Sequence, residues 1–192
     1  MIMNSTKLNG YTQYYQSLED NENYTYDYGV EILLPYIQHL KDKIIWCPFD
    51  KEWSSFIKVL RDNGFKVVYS HIDENKDFFT YEPEEWDIII SNPPYKNKRK
   101  FIERCLQLNK PFALLLPTTI LNDALINDLF TKYNTKLQLL IPYQRMEFFN
   151  KDRNVSNKLS FKTSYFARDL FNQDIILLKK EDMKKEKIKD VR

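Results

Sequence analysis

The sequence predicts a three-layer α/β/α sandwich, a largely parallel sheet covered by helices on both faces, with an antiparallel hairpin at the sheet edge. Three observations carry that expectation. Strand-like runs alternate with helix-length amphipathic segments through residue 130. Several runs, Ile88-Ile89-Ile90 and Leu114-Leu115-Leu116 among them, are apolar at consecutive positions, as strands buried on both faces are. Beyond residue 130 the chain turns β-rich, and the alternating segment 160–167 pairs with 144–149 as the hairpin.

Each element follows from a local signal. Residues 1–27 are polar, rich in tyrosine and without a period, and read as an arm or lid. Residues 30–40 have helical apolar spacing, with Pro35 near the first turns. A strand over 43–50 breaks at Pro48, and an amphipathic helix over 52–63 ends at Gly64. A strand over 65–73, a polar loop and the strand ending at Ser91 come next. A helix over 101–109 leads to a strand over 110–117, and a helix over 120–130 leads to a strand over 137–142. Residues 151–158 read as a polar loop and 174–178 as a last strand. One domain over 1–178 with a charged helix or tail over 179–192 is the simplest organisation.

Composition narrows the class. A hydrophobic content of 43% with 13 Tyr and 13 Phe excludes a disordered chain. No 18-residue apolar run occurs, and the first residues lack the apolar core of a signal peptide, so a soluble, cytoplasmic protein without membrane contact is expected. Cys47 and Cys105 lie in apolar segments without CxxC spacing, and only His39 and His71 are other soft ligands. They read as reduced, buried thiols, and no metal is expected. The net charge of +2 conceals an asymmetry: residues 96–192 carry 21 Lys and Arg against 11 Asp and Glu. That half suits a polyanion, although seven of its bases lie in 179–192 and suit a solvated tail.

The chemistry concentrates after the triple-Ile strand, at Asn92-Pro93-Pro94-Tyr95. Each proline fixes φ and lacks an N–H, so the turn is stiff and its carbonyls point outward. A planar exocyclic amine entering the turn could donate one hydrogen to the Asn92 side-chain oxygen and one to the Pro93 carbonyl. Its lone pair would then face an electrophile. These residues after an apolar strand resemble motif IV of the S-adenosylmethionine-dependent amino-methyltransferases, chiefly the adenine-N6 DNA methyltransferases. Without that resemblance, the segment is a proline-rich turn.

The resemblance implies a Rossmann-like methyltransferase fold, the cofactor S-adenosyl-L-methionine, and catalytic roles for Asn92, Pro93, Pro94 and Tyr95. On the cofactor side it implies Tyr26, Tyr28 and Gly29 before the first helix, and Pro48 and Phe49 at the first strand's end. There Cys47 replaces the family's acid and the usual glycines are absent, so Asp50, Ser54 and backbone N–H groups at the helix start would take their place. His71 and Ile72 end the second strand, where the family has an acid for the ribose hydroxyls, and His71 or Asp73 would take that role. Asp77 and Phe78 would meet the cofactor's adenine, and Asn92 borders it; otherwise 77–79 is a polar loop with two core phenylalanines. On the substrate side, Tyr95 would stack on the target base with Phe148 or Phe149 on its other face. Lys96, Lys98, Arg99 and Arg145 would meet phosphates flanking a flipped nucleotide.

The expected activity is methylation of the adenine N6 amine in DNA. RNA adenine or a protein glutamine amide presents the same NH2 geometry, and a degenerate, nucleic-acid-binding subunit is the alternative of a different class. The family's separate recognition domain has no room here, so reading of DNA (or RNA) sequence would fall to the arm, the 151–158 loop, a second copy or a separate recognition subunit.

Overall fold

A computed structural model describes residues 23–149 and 161–183. Of the arm or lid read over 1–27, residues 1–22 lie outside those described, as do the loop read over 151–158 and residues 184–192 of the charged helix or tail read over 179–192. The elements run β1 (Tyr24–Thr25), α1 (Asp27–Glu31), α2 (Leu34–Ile37), β2 (Ile44–Cys47), α3 (Ser55–Asp62), β3 (Lys66–Tyr69), β4 (Ile88–Ser91), α4 (Lys98–Leu108), β5 (Phe112–Pro117), α5 (Leu125–Lys132), β6 (Gln138–Ile141), β7 (Phe148–Phe149), β8 (Thr163–Arg168) and β9 (Ile175–Leu177).

Seven strands form one sheet in the order β3-β2-β4-β5-β8-β6-β9. All its pairings are parallel except those of β8 with β5 and β6. The path β2-α3-β3 leads to one side and β4-α4-β5 to the other, so the order reverses between β2 and β4. This is the doubly wound, Rossmann-like arrangement.

Strand alternation divides the core between two faces. Ile45, Cys47, Ile88, Ile90, Ala113, Leu115, Tyr165 and Ala167 pack with α1, α2 and α3. Trp46, Ile89, Phe112, Leu114, Leu116 and Phe166 pack with α4 and α5. The triple-Ile strand is therefore buried on both faces, at about 1.5–3 kcal/mol for each large side chain removed from water. Cys47 and Cys105 are buried free thiols. No helix among the described residues is long and apolar enough to cross a membrane.

Two local readings need correction. The antiparallel element is not an edge hairpin of 144–149 with 160–167. β8 lies inside the sheet between β5 and β6, with Phe112 opposite Arg168 and Leu139 opposite Phe166. Its Tyr165, Phe166 and Ala167 are buried on both faces, which an edge position would expose. β7 pairs instead with β1, setting Tyr24 opposite Phe149 and Thr25 opposite Phe148.

The helix read over 30–40 is broken into α1, α2 and a 3-10 turn, Gln38–Leu40, because Pro35 has no N–H to offer the preceding turn. The segment 179–192, read as a charged helix or tail, begins with a 3-10 turn, Lys180–Asp182, followed by the buried Met183.

Candidate active site

A cavity of about 260 Å³ opens at the carboxyl ends of β2 and β4, where the strand order reverses and the two chain paths diverge. Open α/β sheets bind ligands in this crevice. Four segments wall it.

The first wall is the turn after β4. Asn92, Pro93, Pro94 and Tyr95 all line the cavity. The Asn92 amide donates from Nδ2 to the Asn23 carbonyl at 2.9 Å and to Thr25 Oγ1 at 3.3 Å. A carbonyl can only accept, so the NH2 group must face Asn23 and the side-chain oxygen must face away. That oxygen is buried and accepts no hydrogen bond from the described residues. A buried acceptor left unpaired costs about 1–3 kcal/mol, which a donor on a ligand would recover.

Tyr95 is turned into the core on the α4 side of the sheet, 4% exposed, with its ring edge-on to Phe161 at 5.7 Å. Burial raises its pKa, and the nearby Asn92 side chain offsets only part of that, without a hydrogen bond of good geometry. The open stacking face expected of Tyr95 is not presented.

The second wall is the turn after β2, with Pro48, Phe49, Asp50 and Ser54 on the cavity. Asp50 is 7% exposed; its Oδ1 accepts from Ser54 at 2.6 Å and its Oδ2 from Ser91 at 2.5 Å. The carboxyl thus joins the end of β2 to the end of β4. Burial pushes its pKa up to about 6, against the lowering effect of the two hydroxyls. Ser54 precedes α3 and donates its hydroxyl to Asp50, and its oxygen makes no side-chain cap. The helix therefore presents uncapped N–H groups beside the cavity.

His71, Ile72, Lys76, Asp77 and Phe78 form the third wall, from the loop after β3. His71 Nδ1 accepts from the Asp73 N–H at 3.1 Å, and Asp73 pairs with Lys51 at 2.7 Å. Ser70, which precedes His71, is buried and accepts the Trp46 indole N–H at 2.9 Å. Asp77 accepts the Phe79 N–H at 3.0 Å, and Phe78 is buried against Phe49.

The fourth wall was only partly legible in the sequence, which named Phe149 and read 1–27 as an arm or lid without placing Asn23, Tyr24 or Thr25 in the site. Asn23, Tyr24 and Thr25 of the β1 segment line the cavity with Trp53 and Phe149. Tyr24 lies 4.7 Å from Trp53 and 5.5 Å from Phe149, ring centre to ring centre, and Trp53 is 50% exposed. The one local clue was Trp53, a large aromatic in the polar run 50–55. Asn97 and Phe101 complete the rim.

Other sequence-expected residues stand outside the lining. Tyr26 lies behind Phe149, at 4.9 Å. Tyr28 is buried, its hydroxyl accepting the Glu147 N–H, and burial pushes its pKa up to about 12. The Gly29 carbonyl accepts the Tyr165 hydroxyl at 2.7 Å. Phe148 is 1% exposed in the core, so of the two phenylalanines only Phe149 faces the cavity. Arg145 is exposed and not part of the lining. Lys96, Lys98 and Arg99 flank Asn97 at the cavity mouth, Lys96 and Arg99 exposed and Lys98 half-buried.

No protein-family model matches this sequence, and no curated protein sequence does. Among solved structures, the methyltransferase subunit of a type I restriction-modification system from Streptococcus thermophilus is similar at 11% identity and a TM-score of 0.46, over 85% of this chain and 49% of that one. The chain thus spans about half the length of that subunit. A protein from Pyrococcus horikoshii assigned as an RNA methyltransferase is similar at 14% identity and a TM-score of 0.43, over 81% of this chain and 96% of that one.

Proposed function

We propose that the chain is an S-adenosylmethionine-dependent methyltransferase acting on the N6 amine of adenine in DNA. The observation that carries this reading is the buried, unbonded Asn92 oxygen, held by a fixed amide in a Pro-Pro turn at the switch-point cavity. A stiff, dry acceptor of this kind suits a planar NH2 group better than a hydroxyl, because the Pro93 carbonyl beside it offers a second acceptor.

The remaining walls fit an adenosyl cofactor with a positive centre. Asp77 offers an acceptor, Phe49 and Phe78 offer aromatic faces, the start of α3 offers N–H groups, and Asp50 puts a buried carboxyl in the wall. When bound, that cofactor supplies an electrophilic methyl group. Asn92 and Pro93 would accept the two amine hydrogens and leave the nitrogen lone pair aimed at the methyl carbon. The methyl group would pass from the cofactor's sulfur to that nitrogen, and water would take the surplus amine proton, so no side chain of the lining would be needed as a general base. Phe149, Trp53 and Tyr24 would hold the flipped ring, and Lys96, Lys98 and Arg99 the flanking phosphates.

The aromatic rim and the basic mouth favour a nucleobase over a glutamine amide. A second reading has its own support. In the turn after β2 there is no glycine, and both Asp50 oxygens are engaged, as a nucleic-acid-binding subunit without transfer activity would tolerate. Transfer of labelled methyl to duplex DNA, total RNA and a protein lysate in parallel separates these. Label in DNA is expected. Label only in RNA or protein would move the substrate, and no label with no calorimetric cofactor binding would leave the binding subunit.

A further inference from the structure

We propose that Thr25 is a positioning residue for Asn92, and that Gly29 is glycine because only glycine leaves room for it. The inference rests on the reading of Asn92 as the group that takes up the target amine.

Asn92 is held from a segment 67 to 69 residues away, by the Asn23 carbonyl and the Thr25 hydroxyl. Those two acceptors are set in place by the β1–β7 ribbon, where Thr25 faces the core-anchored Phe148. Thr25 itself is 5% exposed, so its side chain is enclosed.

Behind it lies Gly29, in α1. A Cβ built at Gly29 would stand 2.7 Å from Thr25 Cγ2, nearer than such carbons approach. Its backbone is helical, so the position demands space and not a left-handed φ. Nor can this turn easily retreat, because the Gly29 carbonyl takes the hydrogen bond of Tyr165 on β8. An added methyl group therefore pushes on the Thr25 methyl, and through Thr25 on the hydroxyl that meets Asn92. The clash is with Cγ2 alone. Serine at position 25 lacks that carbon and keeps the oxygen.

The test compares Gly29→Ala with the double variant Gly29→Ala/Thr25→Ser, by two readouts. One is the Asn92 side-chain amide resonance in a 15N–1H spectrum, assigned by its loss in Asn92→Ala. The other is kcat for methyl transfer at saturating cofactor, with cofactor affinity measured alongside. Gly29→Ala is expected to move the Asn92 amide signal and to lower kcat by roughly 10- to 100-fold, the effect of a small misplacement, while cofactor affinity stays as in the wild type. The double variant is expected to restore the signal and most of kcat. A Gly29→Ala protein with an unmoved amide signal, or a double variant no better than Gly29→Ala, overturns the proposal.

The amide signal reads the contact whether or not the protein methylates anything. If it responds as stated in a wild-type background that transfers no methyl, the methyltransferase reading falls and the Thr25 contact stands. If Gly29→Ala does not fold, Thr25→Val replaces it: the same shape without the acceptor should shift the Asn92 amide signal, and an unshifted signal overturns the proposal.

Discussion

The turn after β4 is held from outside, by neutral hydrogen bonds that the Asn92 amide donates to the β1 segment, whereas the turn after β2 is held from inside, by the buried carboxyl of Asp50. The difference decides what each turn can offer a ligand. The outside contacts consume only the Asn92 NH2 group and leave its oxygen bare in a fixed direction. The inside contact uses both Asp50 oxygens, one of them on Ser91 at the end of β4, and places an ionisable group in the cavity wall, so its ionisation bears on the junction of the two strands.

Breaking the outer support should have the largest effect. Phe148→Ala removes a side chain that is 1% exposed and anchors the ribbon through its place opposite Thr25. A decrease of about 3–5 kcal/mol in stability is expected in urea unfolding, and a decrease below about 1 kcal/mol would show the ribbon to be peripheral.

The inner clasp should show itself through pH. Asp50 has its pKa raised from 3.8 to about 6, so the folded state binds this proton more tightly than the unfolded state does. Ionisation then costs stability: nothing below about pH 4, progressively more up to pH 6, and the full amount above. Stability of the wild type relative to Asp50→Asn should fall by about 2–3 kcal/mol between pH 4 and pH 7. Parallel pH profiles for the two proteins would show that the clasp does not titrate with folding.

Smaller effects should appear at the rim. Phe149→Ala or Trp53→Ala should weaken binding of single-stranded DNA by about 1–3 kcal/mol per stacked base, with stability nearly unchanged. Changing Lys96 and Arg99 to Gln should leave cofactor affinity alone and lower the salt dependence of DNA binding, by about 1 in the logarithmic slope for each phosphate no longer neutralised. An unaltered slope would place the DNA elsewhere.

The contrast between the turns also explains what the sequence could show. The Asn92 turn was legible because its cause is local: an apolar strand that two prolines stop. Asp50 was identifiable as a cavity residue, but its bond to Ser91 joins positions 41 apart and appears only once β2 and β4 are neighbours. The β1 contribution was not legible, since a two-residue strand pairing Tyr24 with Phe149 has no period to detect. Gly29 and Tyr28, read as cofactor contacts, stand outside the cavity lining, Gly29 against Thr25 and Tyr28 accepting the Glu147 N–H, contacts that join segments far apart in the chain. The alternation of 160–167 suggests a hairpin at an edge, whereas in β8 the side chains of both phases from Thr163 to Ala167 are buried, the polar Thr163 and Ser164 included.

The most direct test of the role given to Asn92 is the Asn92→Ala variant, assayed for labelled methyl transfer to duplex DNA and, on the same sample, for calorimetric binding of S-adenosylmethionine. Transfer is expected to fall by at least about 1,000-fold while cofactor affinity changes little, because in the proposed role the Asn92 oxygen would take up the amine and not the cofactor. Transfer that survives the substitution, or cofactor binding that disappears together with transfer, would contradict that role.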